Sequence, residues 1–113
     1  MKIALDIGPL SDGNAGRGIG VYTKFLKESL LELSKGEHFI VDPIDVHASK
    51  TLHNYDLIHY PSFDFFQNTL DVPKSIPVVV TIHDTIPLIY PEKYPSGLRG
   101  RIALFKQKQS LKR

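Results

Sequence analysis

Cysteine is absent from the chain. That excludes disulfide scaffolds, zinc sites built on thiolates and cysteine nucleophiles, and it fits a reducing compartment. Long hydrophobic runs are absent too: no stretch approaches the ~20 apolar residues that a membrane-spanning helix needs. The opening Met1-Lys2-Ile3-Ala4-Leu5-Asp6-Ile7-Gly8-Pro9 carries an acid and a Gly-Pro break where the apolar core of a secretory signal should run, so no such leader is expected. Gly-Lys-Ser/Thr does not occur, which excludes Walker-type phosphate binding. Internal repeats and low-complexity tracts are missing as well.

What is there amounts to one domain. A chain of 113 residues, 42% hydrophobic and 23% charged, can bury a real core and is neither disordered nor collagen-like. The net charge of +2 hides an asymmetry. Residues 93 to 113 carry seven bases and no acid, while the remainder carries seven bases and twelve acids. A basic end of this kind attracts phosphate, an anionic membrane face or nucleic acid, or simply forms a solvated helix face.

Hydrophobic patterning gives alternating elements. Ile3-Ala4-Leu5-Asp6-Ile7 reads as a first strand buried on both faces, stopped at Gly8-Pro9. A glycine-rich loop from Ser11 to Gly20 leads into a helix over 20–34, with Tyr22, Phe25, Leu26, Leu30 and Leu33 on its apolar face and Lys35-Gly36 as its stop. Phe39-Ile40-Val41 is a second strand, ended by Asp42-Pro43. After a weakly patterned stretch with room for a short helix, Leu57-Ile58-His59-Tyr60 is a third, stopped by Pro61. Residues 62–75 favour no period. Val78-Val79-Val80-Thr81-Ile82, β-branched and uncharged, is expected to be a central strand covered on both faces. A proline-rich loop and a helix from about Gly97, with Leu98, Ile102 and Phe105 on one face, follow. Such alternation predicts an α/β fold with a mostly parallel sheet of at least four strands.

Ligands on parallel sheets bind at the carboxyl ends of the strands, and that rule selects the candidate residues. Asp6 and Gly8 end the first strand, and Gly16-Arg17-Gly18-Ile19-Gly20 runs into the N-terminus of the first helix, where free amides favour an anion or a sugar hydroxyl. The spacing is not that of a dinucleotide fingerprint, and the nearest acid for a ribose contact, Asp42, precedes a proline. His59-Tyr60 ends the third strand and His83-Asp84 the fourth, so two imidazoles leave parallel strands toward one edge. Asp84 can fix a ring tautomer or accept from a hydroxyl. Each site residue also has a structural reading: a flexible glycine turn, or histidines hydrogen-bonded in buried strand ends. His38, His47 and His53 read as surface residues, and no metal-ligand set is specified.

Three segments carry a resemblance. They are Ile3-Ala4-Leu5-Asp6 with Gly18-Ile19-Gly20-Val21-Tyr22-Thr23; Asp56-Leu57-Ile58-His59-Tyr60-Pro61; and Val79-Val80-Thr81-Ile82-His83-Asp84-Thr85-Ile86-Pro87-Leu88 with Pro91-Glu92. In this order they resemble the N-terminal, acceptor-side half of retaining GT-B glycosyltransferases, the group that includes many bacterial mannosyl- and glucosyltransferases. The resemblance covers nearly the whole chain. It implies a Rossmann-like domain, with His83 matching the histidine that faces the donor sugar and Gly16, Gly18 and Gly20 matching the loop that lines the cleft. The family's pair of glutamates separated by seven residues is missing, as is any Asp-x-Asp motif. By the resemblance, the second, nucleotide-binding domain is expected to be absent from these 113 residues and the first to be cut short.

The resemblance implies transfer of a hexose from a nucleotide-sugar to a hydroxyl acceptor, by a chain inactive alone and completed by a C-terminal half. His83 and Asp84 are the candidate catalytic residues. Gly16, Arg17, Gly18, Gly20, His59 and Tyr60 are the candidate substrate-binding residues. No cofactor, metal or nucleic acid is expected. The alternative is a non-enzymatic module of the same fold that self-associates, or that binds a partner or a phosphorylated ligand. The expected location is cytoplasmic, with peripheral attachment to an anionic membrane through the basic end.

Overall fold

The computed structural model describes residues 1–11, 13, 15–70 and 75–112. Positions 12 and 14 of the glycine-rich loop, the 71–74 part of the unpatterned stretch and Arg113 of the basic end lie outside the described residues.

Four strands, β1 (Lys2–Asp6), β2 (Ile40–Ile44), β3 (Leu57–Tyr60) and β4 (Val78–Val80), pair in parallel in the order β2-β1-β3-β4. The chain steps from β1 to β2 on one side and returns to β3 and β4 on the other, the reversal typical of doubly wound sheets. Among the described residues three α-helices accompany the sheet: α1 (Gly18–Leu33), α2 (Ile86–Ile89) and α3 (Gly97–Ser110). Among the described residues no helix is long and apolar enough to cross a membrane.

Side-chain alternation divides the core. Ala4, Ile58 and Tyr60 point to one face, where Val46, Leu52, Leu70 and Ile76 from the connecting loops cover them. Leu5 and Val41 are buried on the opposite face, and α1 packs against β2. The helix turns its small residues inward: Gly20 and Thr23 are its buried positions, and Thr23 Oγ1 bonds the Ile19 carbonyl at 2.8 Å. Tyr22, Phe25 and Leu33, expected to face the core, are exposed. Small side chains let the helix backbone approach the sheet, and this outweighs the apolar periodicity. The predicted stop is in place, since Gly36 has φ 81°, the left-handed region that glycine enters freely.

Two strands depart from expectation. β2 runs through Asp42-Pro43 to Ile44. Ile40 N donates to Met1 O and Ile44 O accepts from Ile7 N, so the missing N–H of Pro43 falls on the outer edge, where no partner needs it. β4 is an edge strand, shorter than the predicted 78–82, with Val79 44% exposed. β-Branched composition reports a preference for extended backbone, whereas position in a sheet depends on which segments pair beside it. β1 and β3 are the central strands.

α3 departs too. Leu98 (76% exposed), Ile102 (50%) and Phe105 (63%) point to solvent. The inward side is Gly100 and Gln107. A Cβ on Gly100 would come within 2.7 Å of Ser96 Cβ, so glycine permits the contact. Gln107 is nearly fully buried. Its Oε1 accepts from Leu70 N at 3.1 Å, and its Nε2 donates to the Asp64 carbonyl at 2.7 Å and also to the Gln67 carbonyl. One amide side chain thereby ties α3 to the loop after β3. Gln107→Leu should lower the unfolding free energy by about 2–3 kcal/mol, because it strands a buried amide and two carbonyls. Urea denaturation reads this directly, and an unchanged midpoint would mean that the tie contributes nothing.

Candidate cleft at the carboxyl edge of the sheet

The segments that leave β1, β3 and β4 at their carboxyl ends meet around a cleft of about 550 Å³. Ile19 comes from the first turn of α1, Ser62 to Phe66 from the loop after β3, and His83, Asp84 and Pro87 from the segment after β4. Lys93 to Ser96 close the remaining side. Aromatic walls with a few polar groups are the usual make-up of a small-molecule site.

His83 is held at two points. Its Nε2 lies 2.9 Å from the Pro61 carbonyl, and Tyr22 meets its ring edge-on at 4.9 Å. A carbonyl oxygen only accepts, so Nε2 carries the proton and a neutral ring keeps Nδ1 as an acceptor. The tautomer is therefore set by the Pro61 backbone and not by Asp84. Asp84 Oδ1 instead accepts from Ile86 N at 3.0 Å, which shapes the start of α2.

The other candidates divide. Gly18 and Gly20 belong to α1 itself, not to the loop, and Gly20 is buried against the body of the protein. Arg17 is the N-cap residue and makes no capping bond through its side chain. A Cβ on Gly16 or Gly18 would meet nothing within 4 Å, so local crowding does not require glycine at either position. Of the 16–20 stretch, Ile19 lines the cleft. Neither His59 nor Tyr60 lines it. Both belong to a central strand covered on both faces, and Tyr60 is fully buried in the core. His59 Nε2 is buried with no hydrogen-bond partner among the described residues, and burial pushes the pKa of this histidine below its ordinary value. His38, His47 and His53 are exposed. Asp42 is committed elsewhere, bonded by Tyr55 Oη at 3.1 Å and paired with Lys2 Nζ at 3.1 Å.

Pattern reading passed over several residues. Ser62 and Asp64 follow β3 directly, and the strand-end rule alone points to them. Lys93, Tyr94 and Ser96 reach the cleft because the proline-rich segment folds back, and nothing local in the sequence marks them. Asp6 has an organising role at the same edge: its Oδ1 accepts from Gly8 N and Val46 N, both at 3.2 Å, and so binds together the turns after β1 and β2. Burial pushes its pKa up against the opposing pull of those two amides. Among the described residues no group of three or more histidine or acidic side chains is placed to hold a metal ion.

Comparisons with protein-family models, with curated proteins and with solved structures return no match.

The burial of His59 sets a pH dependence. Its folded-state pKa lies below that of the unfolded chain, about 6.5, so the unfolded state takes up the proton first. The stabilisation from keeping the ring neutral is complete above pH 6.5 and is lost as the pH falls through the folded-state value. Thermal unfolding of wild type and His59→Gln between pH 7.5 and 5 should therefore differ: the wild type loses stability below pH 6.5 more steeply than the variant. Parallel profiles would place the titration elsewhere.

Proposed function

We propose that this chain is the acceptor-side half of a GT-B-type glycosyltransferase, moving a hexose from a nucleotide-sugar to a hydroxyl acceptor. The observation that carries the reading is the oriented His83 ring beside Asp84, in a cleft shared with the first turn of α1. The three motif segments and the doubly wound sheet support it. In this reading His83 Nδ1 accepts from a sugar hydroxyl, and the second carboxylate oxygen of Asp84 is available to another. Phe63 and Tyr94 provide apolar walls for the flat faces of a sugar ring. The nucleotide grip and the cations that stabilise the leaving diphosphate belong to a complementary half, because the sequence contains no glutamate pair of the family's spacing.

The test mixes the chain with a nucleotide-sugar-binding C-terminal half of this enzyme class and follows release of nucleoside diphosphate from UDP-hexose and GDP-hexose. Release should require both halves, and His83→Ala should slow it at least about tenfold, or about 1.4 kcal/mol, with little change in folding. Full activity in His83→Ala would remove His83 from the site. Robust turnover by this chain alone would overturn the half-enzyme reading.

The open edge of β4 favours a second reading, a module that self-associates. Ile58 N donates to Pro77 O and Thr81 N donates to Tyr60 O, so the backbone groups of Val78 and Val80 face outward, unprotected by any charged side chain within the strand. Light scattering at high micromolar concentration should then give a dimer mass, and a monomer mass would count against it.

A further inference from the structure

α3 has two faces with opposite duties. Gly100 and Gln107 hold it to the protein. On the far side Leu98, Ile102 and Phe105 follow one another at spacings of four and three, which places them in one stripe, and all three are exposed. Cations flank this stripe on both sides. Arg99 and Lys106, seven residues apart, run along one flank; Arg101, Lys108 and Lys112 run along the other. All five are exposed, and among the described residues none has an ion-pair partner. Acids are absent from Lys93 onward.

On its Arg101 flank the stripe adjoins a groove, which Leu98 shares with it. Leu88 and Tyr94 join Leu98 and Leu104 around this groove of about 620 Å³, whose rim carries Arg101 and Lys108. The radius of gyration, 14.8 Å against about 13 Å for a compact chain of this length, fits a helix standing proud of the sheet.

We propose that this face docks on an anionic lipid surface, with α3 lying in the plane of the interface. An apolar stripe between two rows of cations suits that boundary: the stripe enters the acyl margin, while the arginines and lysines reach sideways to lipid phosphates. Charge decides the choice of occupant. A patch formed between two copies of this chain would bring five unpaired cations against five more with no acid to offset them, whereas an anionic bilayer neutralises the whole set. The aromatic Phe105 belongs to the residue types that settle just below headgroup depth. Membrane docking stands apart from the transferase reading, since vesicle binding requires neither His83 nor a nucleotide-sugar.

The test is sedimentation of the whole chain with vesicles of phosphatidylcholine alone and of phosphatidylcholine with 30% phosphatidylglycerol. Binding should require the anionic lipid and weaken as salt is raised. Arg101→Glu with Lys108→Glu should reduce partitioning at least about 25-fold, from roughly fivefold per cation removed. Ile102→Ser with Phe105→Ser should reduce binding while the charge is unchanged. All four positions lie on the solvent side, so circular dichroism and the unfolding midpoint should match wild type and separate lost docking from lost fold. No binding to anionic vesicles would overturn the proposal, as would equal binding by the folded variants. A dimer in light scattering that Ile102→Ser with Phe105→Ser abolishes would assign the face to a second copy instead.

Discussion

A strand that pairs on both sides in a parallel sheet must be covered on both faces, and β1 and β3 impose that constraint on everything around them. Ala4 and Ile58 face one side and Leu5 the other, and all three are wholly buried. No backbone group in such a pair can turn to water, so the chain has to supply a layer above and a layer below. α1 is one layer. The other is irregular, built from the loops that carry Val46, Leu52, Leu70 and Ile76. The loop after β3 also serves the cleft: Leu70 covers the sheet, and Ser62 to Phe66 form one wall of the carboxyl-edge cleft.

The polar interactions that matter most serve this arrangement. Asp6 joins the turns after β1 and β2, the Pro61 carbonyl orients His83, and Gln107 fastens α3 to the loop after β3. Each is a side chain or carbonyl that satisfies backbone or ring groups at an irregular point, where the sheet ladder cannot reach them. By contrast, the described ion pairs, Lys2 with Asp42 and Lys35 with Glu32, lie at the surface, where such pairs contribute little.

Several apolar surfaces among the described residues are open to solvent, among them the outer face of α1 with Phe25 and Leu33, the turn of α2 with Ile86 and Ile89, the edge of β4 and the outer stripe of α3. The last two differ in what surrounds them. Among the described residues the edge of β4 has no strand beside it and carries no charge, which suits another strand. The stripe of α3 lies between rows of cations, which suits an anionic plane. A single exposed hydrophobic residue is ordinary, whereas an aligned row with like charge on both flanks has a direction and a chemistry.

Periodicity and composition determined the element types. The strand at Leu57–Tyr60, the first helix with its Gly36 stop and the last helix from Gly97 were legible because short-range backbone preferences decide them. The strand-end rule also led to His83 and Asp84, since a parallel sheet places its functional loops at one edge. Which way each element faces belonged to tertiary structure. Tyr22, Phe25, Ile102 and Phe105 have the spacing of a buried stripe and are exposed, while Gly20, Gly100 and Gln107 are the inward contacts. Valines 78 to 80 carry the composition of a central strand and occupy an edge. His59 and Tyr60 stand at a strand end but within the covered part of the sheet, away from the cleft. Hydrophobic spacing identifies a face that can be buried. Whether it is buried depends on what packs beside it, and pairing order and close approach through small side chains settle that only once the whole chain has folded.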